Sequence, residues 1–296
     1  MLKNSFKIFF DKLGLLWPLL IYLLIVSCIL VAFGMQFLWY FGSRLEALGV
    51  FENIDNIVHS SDTDNLVVNL QSFVVNIVDI LNFEYIDFFG SLFFALLVML
   101  TVSRLFFGLY QIPLATSIYN KMHMDADIEF LTIFASSVVR SVKYTINRLV
   151  FALFFDLCMV ALLVIGLFVL RELDAVEYAL FVLGLIFLIL LALRQTLVSC
   201  WVGSVVSAQL QPNEAFVYGV RKVSRRFWTV YLWHFVVSIV LITLNVSLAI
   251  PTHNFGLIIT LPITVLFYTI LDITVYTILD NKDYYINGKL YKSESH

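Results

Sequence analysis

Six stretches of the chain are apolar with almost no interruption: about 14–40, 86–112, 148–170, 176–203, 228–250 and 256–280. Each meets the roughly 20 residues that a helix needs to cross a hydrocarbon core of about 30 Å. The runs are too long and too uniform for barrel strands, in which apolar and polar residues alternate. Only helices and closed barrels pair every backbone group inside a bilayer. The pattern predicts an all-α fold, a polytopic membrane helix bundle of six transmembrane helices, with residues 1–296 as a single integral membrane domain. The first run shows no small-residue cleavage pattern after a short core, so it reads as a retained helix and not as a signal peptide.

Between the spans the pattern becomes amphipathic. In the loop 41–85, Asn65, Asn69, Ser72, Asn76 and Asp79 recur at spacings of 4, 3, 4 and 3, with Leu66, Leu70, Phe73, Ile77 and Leu81 among the residues opposite. This predicts an amphipathic helix on the outer interface or capping the bundle. Residues 125–143 open on Asp125, Asp127 and Glu129 and end on Arg140 and Lys143, in keeping with a helix dipole. Pro212 and Glu214 start another helix, whose end gathers Arg221, Lys222, Arg225 and Arg226. Together with Phe6, Ile8, Phe9 and Leu13 among Lys3, Lys7 and Lys12, these make three basic amphipathic segments. Each leads into an outgoing span, at 14–40, 148–170 and 228–250. The chain thus reads as three units of interfacial helix, outgoing helix and returning helix.

Composition narrows the function classes. The chain is 61% hydrophobic and only 13% charged, with a mean hydropathy of +0.95. That excludes a disordered chain, a disulfide-stapled secreted module, a nucleic-acid binder and a water-soluble enzyme. Cys28, Cys158 and Cys200 all sit in apolar stretches without a metal-ligand spacing, so they read as small buried hydrophobes. The sign of the charges sets direction. With a cytoplasmic N-terminus, 14 lysines and arginines fall in inside segments and only Arg44 and Arg171 fall outside. That bias predicts cytoplasmic termini at both ends. The outer loops carry acid instead, from Glu46 to Asp87 and again at Glu172, Asp174 and Glu177.

Charges inside a bilayer cost several kcal/mol and usually face a bundle interior or water. Arg104, Asp156, Arg194 and Asp272 lie within the spans, and at about 1.5 Å per residue both aspartates are roughly 12 Å deep. They form a candidate intramembrane polar cluster. It reads either as a substrate, ion or proton site or as Asp–Arg pairs that fix helix register, with arginines reaching to phosphates. His234 reads as a hydrogen-bonding packing residue near the inner interface. Lys121-Met122-His123-Met124 reads as a loop in preference to a copper site, because no second Met/His cluster accompanies it. Ser199, Gly203 and Ser207 form a small-residue ridge for close helix contact. Arg221, Lys222, Arg225 and Arg226 are candidate contacts to anionic inner-leaflet lipids, worth about 1 kcal/mol each near the surface. The sequence offers no phosphate-binding GxxxxGK[ST], HExxH or GxSxG motif, and no cofactor is expected.

The run Gln211-Pro212-Asn213-Glu214-Ala215-Phe216, followed by Arg221-Lys222-Val223-Ser224-Arg225-Arg226-Phe227-Trp228, resembles a segment of a bacterial six-helix group. That group includes the YciC-like proteins and the membrane domain of some glycerophosphodiester phosphodiesterases. Gly108-Leu109-Tyr110 with Pro113-Leu114, and Gly256 with Leu261-Pro262, Tyr276 and Asp280, extend the resemblance over about residues 100–280. The acidic loop 41–85 departs from it. The resemblance implies a six-helix integral domain whose phosphodiesterase chemistry, where present, belongs to an appended soluble domain; residues 281–296 read only as a short tail. The expectation is a multi-pass protein of a bacterial plasma membrane, without enzymatic activity. It would serve as a transport or sensing component, or as a partner subunit bound to another membrane protein in an envelope assembly, with no nucleic-acid partner. The alternative is a membrane-embedded lipid-modifying enzyme using Asp156, Asp272 and the nearby arginines.

Overall fold

The computed structural model describes residues 2–47, 49, 51–52, 55–56, 68–69, 72, 86–124, 129–171, 176–249, 251–252, 256–286 and 289–291. It is an all-α membrane protein, with one small two-stranded hairpin among the described residues. Helix α1 (Leu2–Asp11) leads through a short 3-10 turn (Leu13–Leu15) into α2 (Leu16–Ala47). There follow α3 (Ile86–Leu109), α4 (Gln111–Met124), α5 (Phe130–Arg171), α6 (Val176–Val198) and α7 (Trp201–Ser207). The chain continues with α8 (Pro212–Ser224), α9 (Phe227–Ala249), α10 (Leu257–Leu279) and strands β1 (Tyr284–Ile286) and β2 (Lys289–Tyr291). Among the described residues six segments are long and apolar enough to cross a membrane: Leu13–Phe37, Gly90–His123, Phe130–Leu162, Phe181–Ser207, Phe227–Ala249 and Leu257–Leu279. These correspond in order to the six apolar runs of the sequence. Most of the expected outer-loop helix at 65–81, and the acidic start at 125–128, lie outside the described residues.

Three breaks organise the helices. Pro113 has no N–H to donate to the carbonyl of Leu109, which weakens the second span at this point. It ends at Leu109 and restarts at Gln111, with Pro113 in the first turn of α4. One turn before the break, the Tyr22 hydroxyl donates to the Phe106 carbonyl. The fourth span breaks at Ser199 and Cys200, where Ser199 Oγ donates to Thr196 O at 2.8 Å and Ser204 Oγ to Cys200 O at 2.7 Å. The third break, at Arg225 and Arg226, separates the basic face of α8 from the apolar start of α9. The segment 130–143 behaves differently. It is continuous with the third span in one 42-residue helix, because neither Gly nor Pro interrupts the run from Phe130 to Arg148. Along several helices Ser and Thr hydroxyls bond the carbonyl four residues back, as at Thr101, Ser141, Thr196, Thr269 and Thr274. Such bonds satisfy hydroxyls that meet no water in a bilayer.

The chain forms two compact units. The first comprises Met1–Ser27, Arg104–Phe151 and Leu188–His296. Its centre is α10, 61% of whose apolar window is buried, against 6–22% for the other spans. Packed on α10 are α1, α4, α7, α8 and α9. Gly203 of α7 admits the Tyr276 ring, since a Cβ there would lie 2.4 Å from Tyr276 Cγ. The small-residue ridge of the sequence is thus an internal packing face. Gly219 of α8 lies against the Cys200 backbone, and Trp201 Nε1 donates to Pro212 O at 2.7 Å, tying α7 to the start of α8. The hairpin is anchored by Asn4 Nδ2, which donates to the Tyr284 hydroxyl at 2.7 Å; burial pushes that hydroxyl's pKa above its ordinary value. Gly108 faces Thr145, where an added Cβ would stand 2.3 Å from Cγ2. Gly108→Ala is expected to destabilise the protein by about 1–3 kcal/mol. Thr145→Ala in the same chain should recover most of that loss, as read from the thermal midpoint in detergent.

The second unit comprises Cys28–Ser103 and Ala152–Phe187. Its described parts are the remainder of α2, most of α3, the end of α5 and the start of α6. Phe33, Trp39, Phe94, Phe154 and Phe181 point outward, as side chains that face acyl chains rather than water do. Gly34 receives Met99, and Gly166 receives Leu183.

Candidate intramembrane site

All parts of the site belong to the first unit. The buried residues of α9 are Val230, His234, Val237, Ser238 and Leu241, a helical stripe that faces α10. Three polar pairs cross that interface. His234 Nε2 lies 3.8 Å from Asp272 Oδ1, Ser238 Oγ lies 2.7 Å from the Tyr268 hydroxyl, and Asn245 Nδ2 donates to Thr264 Oγ1 at 3.0 Å. As numbers rise on α9 they fall on α10, the register of an antiparallel helix pair. The His234 ring is nearly parallel to Tyr268, with centroids 6.4 Å apart and planes at 11°.

The first pair differs from the other two. At 3.8 Å it is too long for a hydrogen bond, although His234 is 0% and Asp272 4% exposed. Neither ring nitrogen of His234 nor Oδ1 of Asp272 has a hydrogen-bond partner. Leaving such groups unsatisfied costs about 1–3 kcal/mol each, and each calls for an explanation. Arg148 on α5 acts electrostatically on Asp272 and lies over the Tyr144 ring at 6.0 Å. Asp272 also acts on Tyr144 and on Cys200. Tyr144 in turn meets Trp201 edge-on at 5.4 Å. Trp201, the first residue of α7, thereby packs on α5.

Of the four charges singled out in the sequence, Asp272 alone is buried. Arg104 on α3 and Arg194 on α6 are half-buried and each has an interaction partner. The cation acting on Asp272 is Arg148, a residue whose sequence position marks only the start of a span. Asp156 lies on α5 in the second unit and likewise has an interaction partner. His234, read from sequence as a hydrogen-bonding packing residue, is buried with neither ring nitrogen hydrogen-bonded among the described residues. The available signal was depth: His234 follows Phe227 by seven positions and Asp272 precedes Leu279 by seven. That puts both about 10 Å from the same ends of consecutive helices.

A second polar group surrounds the end of α10. Asp280 pairs with Lys222 and, at 3.0 Å, with Lys282. Lys282 also donates to Ser207 Oγ, which donates to the Tyr119 hydroxyl at 2.9 Å. Residues Lys121–Met124 end α4 rather than form a loop, and His123 Nε2 sits 3.3 Å from Thr277 Oγ1. Among the described residues no group of three or more His, Cys, Asp or Glu is placed to hold a metal ion. Comparison with family models, with curated proteins and with solved structures gives no match.

Proposed function

We propose that this integral membrane protein is a non-enzymatic component that moves or senses a small solute through a proton-exchanging site at His234 and Asp272. The observation that carries the reading is the orphaned set of His234 Nδ1, His234 Nε2 and Asp272 Oδ1, buried between α9 and α10. An ionisable residue within a membrane span is a functional site by default. A carboxyl and an imidazole at 3.8 Å can hold a proton between them or release it with a small change of separation. Two interrupted spans, broken at Tyr110 and at Ser199–Cys200, add support, because interrupted helices mark binding sites in many transporters. The lysine and arginine bias supports cytoplasmic termini, and the resemblance in residues 100–280 supports a bacterial plasma membrane.

Transport and sensing both require that loading the pair alters the chain around it. Amide hydrogen exchange of the break at 196–204 in reconstituted protein is expected to change between acid and alkaline pH, as the pair loads and releases its proton. Asp272→Asn should remove the difference. No difference in the wild-type protein, or one that survives in the variant, overturns the reading. So does turnover of a lipid or phosphodiester by the purified protein that Asp272→Asn abolishes with folding intact, which assigns the pair to an enzyme.

A further inference from the structure

The last turns of α8 and the end of α10 enclose a cavity of about 580 Å³, within the roughly 300–1,000 Å³ of small-molecule sites. One wall carries Tyr218, Arg221, Lys222, Arg225 and Arg226, and the other carries Asp280 and Asn281 over an apolar floor of Ile278 and Leu279. Helix α8 is built to display this wall. Pro212, Ala215, Gly219 and Val223, at spacings of 3, 4 and 4, are buried, which turns Arg221 and Arg225 outward.

The charges in the cavity do not cancel. Asp280, its one acid, is already shared by Lys222 and Lys282. Lys222 is held in addition over the rings of Tyr218 and Tyr276, at 4.6 and 4.9 Å. Arg221, Arg225 and Arg226 make no ion pair among the described residues. Arg221 and Arg225 stand four residues apart on one helix, as do Lys222 and Arg226, and like charges at that spacing repel. The helix thus concentrates cations at the mouth of a hollow that supplies no anion for three of them. Guanidinium groups bind phosphate oxygens in bidentate fashion. Three of them around one cavity match a phosphomonoester, which presents three free oxygens and close to two negative charges.

Position selects the source of that phosphate. Span α9 begins at Phe227, directly after Arg226, and span α10 ends at Leu279, directly before Asp280. The cavity is thus lined by residues at the ends of two candidate spans, and Trp228, two residues after Arg226, is 73% exposed, as an interfacial aromatic is. Ile278 and Leu279 offer an apolar floor of the kind a glycerol backbone would rest on.

We propose that this cavity is a binding site for the phosphomonoester headgroup of a membrane lipid, held by Arg221, Arg225 and Arg226 and oriented by Lys222. The site is separate from the His234–Asp272 pair, and neither reading depends on the other. The test is native mass spectrometry of the detergent-purified protein with dioleoyl phosphatidic acid, phosphatidylglycerol or phosphatidylcholine. The wild-type protein is expected to retain one phosphatidic acid at least about tenfold better than phosphatidylcholine, and better than phosphatidylglycerol. Arg221→Gln with Arg225→Gln should remove that preference at an unchanged thermal midpoint, while Arg140→Gln, on the exposed basic face of α5, should keep it. Equal retention of all three lipids, or equal loss in the Arg140 variant, overturns the site. If glycerol phosphate or inorganic phosphate displaces phosphatidic acid at equal concentration, the lipid source is overturned and a soluble phosphomonoester takes its place.

Discussion

The double variant His234→Phe with Asp272→Leu is expected to be more stable than the wild-type protein and to lose its pH response. Replacing both partners of a buried polar pair with apolar groups of similar shape can be nearly neutral or stabilising. The gain should be real here because three polar atoms of the pair lack hydrogen bonds, so removing them forfeits none. The single variant His234→Phe should behave oppositely. It leaves the buried Asp272 carboxyl facing a ring that can take up no proton, and an unsatisfied buried polar group costs about 1–3 kcal/mol. Thermal unfolding of both purified variants checks the pattern. A pair kept for stability would give two destabilised variants, whereas a pair kept for function gives changes of opposite sign.

Gly203→Leu is expected to prevent folding. A Cβ at this position would lie 2.4 Å from Tyr276 Cγ and 2.6 Å from Tyr276 Cβ, and the tyrosine has nowhere to go. It is 0% exposed, and its ring carries Lys222 at 4.9 Å and Lys282 at 5.7 Å. Overpacking by one methyl costs about 1–3 kcal/mol, and leucine adds a branched side chain beyond that. Gly184→Leu is the control, since nothing lies within 4 Å of its added Cβ, and that variant should retain its thermal midpoint. Size-exclusion profiles in detergent separate the two outcomes: aggregation or loss of protein for Gly203→Leu, and a wild-type peak for Gly184→Leu.

The spans were legible in the sequence because a bilayer imposes one coarse requirement, about 20 apolar residues per crossing, that composition alone reveals. The break before α4 was legible for a similar reason, since Pro113 removes a donor wherever it stands in a helix. The break at Ser199–Cys200 was not. No Pro or Gly occupies it, and the contacts around it come from distant parts of the chain, the Gly219 backbone and the bond from Trp201 to Pro212. The continuity of α5 through 143–148 escaped the repeat pattern because amphipathic composition does not dictate a kink. For the site, depth was legible and azimuth was not. Counting residues from the span ends put Asp272 about 12 Å deep, but which helix faces it depends on packing. His234 drew little weight as a lone histidine in an apolar helix until α10 brought a carboxylate to its level. Arg148 reads from sequence as a topology signal, and its electrostatic effect on Asp272 appears only in the fold.

For proton exchange the buried pair must be reachable from water at some point in the protein's cycle. Cys200 is the reporter, because it is buried at the α6–α7 break and α7 packs on α10, the helix that carries Asp272. With the exposed Cys28 and Cys158 replaced by alanine, reconstituted protein is treated with a membrane-impermeant charged thiol reagent. Modification of Cys200 in folded protein, slow but well ahead of global unfolding, is the predicted result. Reaction only after denaturant has unfolded the chain would contradict the account and leave His234 and Asp272 as sealed packing residues.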